Sequence, residues 1–367
     1  MRLVPIQYVK TGSFLAKTIY DDKGSILLRE GVKLTAGYIK RITQLGMFSM
    51  YINDEYSEKE VEDVIKPELR QKAIKTIKET FYSLEKFNLN VGKNAFNDKM
   101  LMAEREKYFE DINDIVKEIM EELLSKKTVL INIVDIKSMD NYTYQHSVNV
   151  AVLSLVLGIQ LQLQKKQLYD LCLGALIHDI GKALIPHDIL YKKEKLTEEE
   201  KNTLKDHPIR GYDFLKGSLD ISAPARIVTL QHHERDDGKG YPEGRKGDEV
   251  NILAQIVAVA DVYDALTSDR PHRKALSPND AVEYIMAGGD KQFNYEVVKA
   301  FSKCIVPYPE GTIVNLSNGE IAVVEEVYPN FPLRPKLKLI NKSNEEVYRD
   351  LRYELEIVIN GPQYEIS

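Results

Sequence analysis

The chain has 367 residues, of which 43 % are hydrophobic and 29 % charged, ordinary proportions for a globular protein with room for two or three domains. A net charge of −6 argues against a protein that coats a DNA or RNA polymer, so any phosphate binding has to come from a local basic cluster. Cys172 and Cys304 stand far apart with no C-x-x-C pair, which excludes a disulfide scaffold and predicts two buried, apolar thiols.

The start, Met1-Arg2-Leu3-Val4-Pro5, lacks the apolar core of a secretory signal. Residues 1–55 read as a small α+β module with a regulatory role. Phe14 to Tyr20 and Ser25 to Leu28 flank Asp21-Asp22-Lys23-Gly24 as a hairpin, and Thr35 to Leu45 reads as a short helix ending near Gly46. Residues 56–127, rich in Glu, Lys, Ile and Leu, read as an amphipathic helical linker interrupted around Asn88 to Asn94. Such helices connect an input module to an output module or pair in a homodimer; a solvated spacer has the same charge pattern.

Residues 128–305 read as helical. Asp140 or Asn141 can start the helix that carries His146. Ser147 to Leu163, the least charged long run, contains Asn149, Gln160 and Gln162 and falls short of the roughly twenty apolar residues of a membrane span. A buried helix, no membrane contact and a cytoplasmic protein are expected. Leu168, Leu171, Cys172, Ala175 and Leu176 give the next helix an apolar face ending at His178-Asp179. Thr197 to Glu200 has capping-box spacing, and Pro224 suits the first turn of a helix leading to His232-His233. Ile252, Ile256, Val259, Ala260 and Tyr263 outline a helix that carries Asp261, and Ser277-Pro278 begins another. Residues 306–367 read as a small β-rich module, with Ser317-Asn318-Gly319 turning a hairpin between Thr312 to Leu316 and Glu320 to Val324. The chain as a whole is expected to be mainly α.

All seven histidines lie between His146 and His272. Imidazole is the commonest side-chain metal ligand, and a carboxylate can bridge a pair of ions. Taken singly, a buried histidine is more often a hydrogen-bonded core residue than a ligand. As a set, His146, His178, Asp179, His207, His232, His233 and Asp261 point to a two-metal site of the kind that hydrolyses phosphoesters. The all-nitrogen-and-oxygen ligands suit iron, manganese, cobalt, nickel or zinc better than magnesium or calcium. His187 and His272 match no ligand spacing. Lys182, Arg270 and Arg273 are cations in reach of such a cluster by sequence, and cations of this kind pair with phosphate. The glycine-rich loop Asp236 to Gly244 follows the paired histidines and carries Tyr241, whose ring can stack on a base.

His178-Asp179-x-Gly181-Lys182, His207-Pro208, the run from His232-His233-Glu234 to Gly240-Tyr241-Pro242, and Ala260-Asp261-Val262-Tyr263-Asp264 through Arg270-Pro271 together resemble the HD-GYP domain family over roughly residues 130 to 305. The resemblance implies an all-helical HD domain that hydrolyses cyclic di-GMP to linear pGpG or GMP, with the attacking hydroxide shared by two divalent transition-metal ions, iron or manganese first. It implies the seven residues above as ligands, with Asp179 and Lys182 catalytic and Lys182, Arg270, Arg273 and Tyr241 binding substrate. Another nucleotide such as cyclic GMP-AMP as substrate, or cyclic dinucleotide binding without turnover, are the alternatives. A homodimer and a contact of the GYP loop with a signalling protein are further expectations. Two departures stand out. Some members carry a glutamate for a third ion four residues before the first histidine; here that position is Tyr142, so two ions are expected. The usual Arg-Pro-Tyr-Arg is here Arg270-Pro271-His272-Arg273.

Overall fold

The computed structural model describes residues 1–20, 25–45, 47, 49–56, 63–90, 95–126, 131–132, 142–192, 194–268, 275–341 and 346–365, with side chains placed for all of these except 86–90, 95–105, 131–132 and 142. The N-terminal module contains β1 (Arg2–Pro5), β2 (Phe14–Leu15), β3 (Ile19–Tyr20), β4 (Ile26–Leu28), α1 (Ala36–Gln44) and β5 (Ser49–Asn53). Its sheet runs β1-β5-β2, all antiparallel, over a core that includes Val4, Leu15, Leu34, Met50 and Ile52. The expected hairpin is half present. Ile19–Tyr20 pairs with Ile26–Leu28, whereas Phe14–Leu15 pairs with Asn53 and Ile52, which buries Leu15 in the module's core. The turn at 21–24 lies outside the described residues. α1 begins as expected, with Thr35 Oγ1 accepting from Tyr38 N.

The long helices α2 (Pro67–Asn90) and α3 (Ala95–Leu124) form where the amphipathic pattern predicts. They do not stand apart as a spacer. Ile74, Ile77 and Phe81 of α2 and Phe109, Ile112, Ile115 and Ile119 of α3 share one core with the helices that follow. Burying a side chain of this kind contributes about 1.5–3 kcal/mol, so these helices are built into the fold beneath the site.

The short strand β6 (Ile131–Asn132) pairs in parallel with β7 (Ile305–Val306), tying the two ends of the helical domain together. Between them lie α4 (Tyr142–Gln160), α5 (Lys165–Ile177), α6 (His187–Leu190), α7 (Glu198–Lys205), α8 (His207–Leu215), α9 (Ala223–Gln231), α10 (Ile252–Leu266), α11 (Pro278–Ala287) and α12 (Tyr295–Cys304). Residues 140 and 141, the expected start of α4, lie outside the described residues. The other start signals hold: Thr197 and Glu200 close a capping box, Ser222 caps α9 with Pro224 in its first turn, and Ser277 caps α11. α4, α5 and α10 are buried along most of their length, and Cys172 and Cys304 are buried free thiols in this core. Among the described residues no helix is long and apolar enough to cross a membrane.

The C-terminal module is one antiparallel sheet of β8 (Ile313–Leu316), β9 (Ile321–Tyr328), β10 (Phe331–Leu339), β11 (Tyr348–Asp350) and β12 (Ile359–Pro362), ordered β11-β10-β9-β8-β12. The β8–β9 turn is the Asn-Gly hairpin expected, with Gly319 at φ +84°. Tyr364, beyond β12, stacks on Tyr8 with ring centroids 5.3 Å apart, so the last segment touches the first module.

Candidate metal centre

His178 ends α5, His207 opens α8 immediately after α7, and His232 ends α9. The last carbonyls of a helix lack intrahelical N–H partners. Each of these imidazoles uses one: Nδ1 lies 2.7 Å from Ala175 O in His178, 2.8 Å from Leu204 O in His207 and 2.9 Å from Thr229 O in His232. A carbonyl only accepts, so Nδ1 carries the proton and Nε2 presents its lone pair, the tautomer a metal ligand needs. Three helix ends thus aim three Nε2 atoms at one point.

Asp179 stands at that point. Its Oδ1 is 3.3 Å from His207 Nε2 and 3.8 Å from His232 Nε2, and its Oδ2 is 3.4 Å from His178 Nε2 and 3.9 Å from His146 Nε2. Two groups of close-set ligand atoms share this carboxylate: Asp179 with His207, His232 and His233, and Asp179 with His146 and His178, each within 4.8 Å. Asp261 belongs to neither group but touches both, with Oδ1 3.0 Å from His146 Nε2 and Oδ2 3.8 Å from His233 Nδ1. All seven residues expected as ligands therefore meet, six buried and His233 at the partly exposed edge.

The cluster fits cations. His178 Nε2 and Asp179 Oδ1 are buried without a hydrogen-bond partner, a state that costs about 1–3 kcal/mol per group unless something else satisfies them. The Nε2 atoms of His207 and His232 face each other at 3.4 Å, and both Nδ1 atoms are already committed as donors. Two lone pairs so placed repel unless a positive charge lies between them. Without an ion, burial and the neighbouring imidazoles hold His232 down to about 4 and push His233 well below its ordinary value. Burial opposes ionisation of Asp179, but the Lys182 ammonium beside it outweighs this and keeps the carboxyl well below the usual range. His146 goes the other way: burial disfavours its charge, yet hydrogen bonds to Asp261 and Asp264 push it up to about 9.

Lys182 lies on the 3-10 turn Ile180–Leu184, with Nζ 2.5 Å from Asp179 Oδ2 and the side chain 30 % exposed, facing both the cluster and solvent. Gly181 allows this turn to press against α8, because a Cβ there would lie 1.9 Å from the His207 carbonyl oxygen. Tyr241 stacks on His233 with centroids 4.7 Å apart, where the sequence suggested a base, and burial raises its phenol so that it stays protonated. Arg270 and Arg273, like His272, lie outside the described residues, and Tyr142 is described by its backbone alone. His187 packs on Tyr191 and is in neither ligand group, as its spacing implied.

Three residues were missed as parts of the site. Asp264 Oδ2 accepts from His146 Nδ1 at 2.7 Å and so does for His146 what backbone carbonyls do for the other imidazoles. Glu234 is buried and accepts the backbone N–H groups of Glu243, Gly244 and Arg245 at 2.7–3.1 Å, pinning the glycine-rich loop beside the cluster. Asn149 holds Asp264 from α4, with Nδ2 3.0 Å from Oδ1. One turn of α10 separates Asp261 from Asp264, and that spacing was the signal available for the missed aspartate.

Residues 128–297 match the HD domain model, and residues 313–360 match that of the KOW domain associated with HD domain. The chain is 38 % identical over 235 residues to a cyclic di-GMP phosphodiesterase of Pseudomonas aeruginosa, covering 64 % of this chain and 56 % of the relative. It is 31 % identical over 220 residues to the cyclic di-GMP phosphodiesterase PdeB of Borreliella burgdorferi, covering 60 % and 58 %. With the 3′3′-cGAMP-specific phosphodiesterase 1 of Vibrio cholerae it shares 37 % identity over 163 residues, 44 % of this chain and 37 % of the relative. The chain spans little more than half the length of the first two relatives. Over residues 128–297, the part of the chain that carries the cluster, the chain matches the HD domain and is similar to these phosphodiesterases.

Proposed function

We propose that this chain is a metal-dependent phosphodiesterase that hydrolyses cyclic di-GMP to linear pGpG, GMP or both, in second-messenger signalling. The observation that carries the reading is Asp179, one buried carboxylate shared by two groups of inward-facing imidazoles. His146, His178, Asp179, His207, His232, His233 and Asp261 would hold two divalent ions, iron or manganese first and cobalt, nickel or zinc as alternatives. When bound, such ions polarise phosphate oxygens and make water a competent nucleophile near neutral pH.

The chain's own residues supply the rest. Lys182 is held on Asp179 at its inner end and reaches solvent, which supports a role in neutralising the substrate phosphate and donating a proton to the leaving 3′-oxygen. Tyr241 offers a neutral hydroxyl and a ring face at the rim. Arg270 and Arg273 follow α10, and we assign them phosphate contacts on the family resemblance. Contact of the Glu234-pinned loop with a signalling protein, a homodimer, and control by residues 1–55 belong to the same reading.

The similarity to a cGAMP-specific enzyme favours one second reading, cyclic GMP-AMP as substrate, because base selectivity lies in pocket contacts rather than in the metal chemistry. The test is to incubate anaerobically purified, metal-loaded protein with equal amounts of both cyclic dinucleotides. Faster loss of cyclic di-GMP with appearance of pGpG is expected. Faster loss of cyclic GMP-AMP would move the assignment to the second reading. No product with iron, manganese, cobalt or nickel would overturn the enzymatic one.

A further inference from the structure

A cavity lies away from the metal cluster, where the N-terminal module meets α2 and α4. Its volume is about 260 Å³, and its wall includes Lys17 and Tyr51 from the module, Asp63 and Arg70 from the start of the helical region, and Gln145 and Asn149 from α4. Nothing in the proposed hydrolysis uses it. We propose that this cavity is a regulatory binding site for a small dipolar metabolite of amino-acid size, and that its occupancy is communicated to the metal centre through Arg70.

Size comes first. Typical small-molecule sites begin at roughly 300 Å³, so this space suits a ligand of amino-acid size. Charge comes second. The wall carries two cations, Lys17 and Arg70, against three acids, Glu30, Asp63 and Glu68. That balance disfavours a phosphate-rich ligand and suits one with both signs. Hydrogen bonding comes third. Gln145 Oε1 is buried and has no partner, so it requires a donor, which an ammonium or amide N–H supplies. Arg70 has five donors, of which Nη1 reaches Asn149 Oδ1. A carboxylate is the stronger partner for a guanidinium. Lys17 is held by Asp63 and lies over the Tyr51 ring at 4.6 Å, giving the module's side of the cavity a fixed polar wall.

The route to the metal centre is short. Arg70 Nη1 donates to Asn149 Oδ1 at 2.6 Å, Asn149 Nδ2 donates to Asp264 Oδ1 at 3.0 Å, and His146 Nδ1 donates to Asp264 Oδ2 at 2.7 Å. Gln145 and Asn149 are one turn apart on α4, on either side of His146 in sequence. A carboxylate that draws Arg70 toward the cavity weakens its hold on Asn149 and so loosens Asp264 and His146. This coupling rests on His146 being a ligand; the binding itself does not.

Calorimetric titration of the full chain tests both parts, with the proteinogenic amino acids as probes and inorganic phosphate as the anionic contrast. In metal-free protein at least one amino acid should bind one-to-one. Gln145→Leu and Lys17→Met should each weaken it about tenfold or more, the loss of one polar contact. Phosphate should give no such binding. No amino acid binding at about 10 mM, binding by either variant equal to that of the unaltered chain, or tighter binding of phosphate would overturn the site. Coupling is reciprocal, so amino-acid affinity with and without manganese should differ severalfold. An unchanged affinity would overturn the relay, and failure of hydrolysis would leave the binding result intact.

Discussion

Replacing Gly181 by alanine tests how the two halves of the metal centre are locked together. The added Cβ would sit 1.9 Å from the His207 carbonyl oxygen, 2.7 Å from Gly211 N and 2.9 Å from the His207 carbonyl carbon. All three are main-chain atoms, so no side chain can swing aside. The 3-10 turn and α8 must part by roughly 1 Å, which for overpacking of this kind costs about 1–3 kcal/mol. The turn carries Asp179 and Lys182 at one end, and α8 carries His207. Metal–ligand distances tolerate only about 0.2 Å, so Asp179 and His207 would no longer close on the same ion. Urea unfolding of the metal-free variant should show a lower midpoint at unchanged slope, and elemental analysis should show fewer than two ions per chain. An unchanged midpoint together with full metal content would refute the proposed role of this close approach.

Asp264→Asn leaves the fold in place but removes the carboxylate that holds His146, so metal affinity should fall about 10–100-fold, read by competition with a chromogenic chelator. Lys182→Ala should retain both ions by elemental analysis yet hydrolyse cyclic di-GMP about 10²–10⁴-fold more slowly, the range of a lost general acid; equal turnover would remove Lys182 from the mechanism. The metal-free protein should be most stable near pH 6.5. His232, held down to about 4, contributes stability that is complete above the ordinary 6.5 and is lost as pH falls through 4. His146, held up to about 9, contributes stability that is complete below 6.5 and is lost as pH rises through 9. Urea midpoints of chelator-treated protein across pH 4–10 check this, and a steady rise to pH 9 would contradict it.

The histidine–aspartate cluster was legible because its members are chemically unusual and sit at helix ends that the sequence marks: the Thr197–Glu200 box opens the helix that ends at Lys205, just before His207, and Pro224 opens the one that ends at His232. Asp264 was not legible as a positioning residue, since its role depends on a contact with α4, 118 residues away in sequence. Glu234 reads as part of a motif, but its three backbone partners arise only when the loop folds back on it. The N-terminal hairpin was half right because alternation marks a strand without naming its partner; Leu15 pairs with Ile52 across an intervening helix. The amphipathic stripes of α2 and α3 predicted helices and left open what they cover. Phe81 and Phe109 in the shared core supply that answer.

The shared carboxylate is tested most directly by anomalous difference maps from crystals of anaerobically purified protein loaded with manganese or iron. Two peaks are expected, about 3.5–4 Å apart, one beside His146 and His178, the other beside His207, His232 and His233, with Asp179 between them. A single peak, or peaks away from Asp179, would contradict the paired-metal centre.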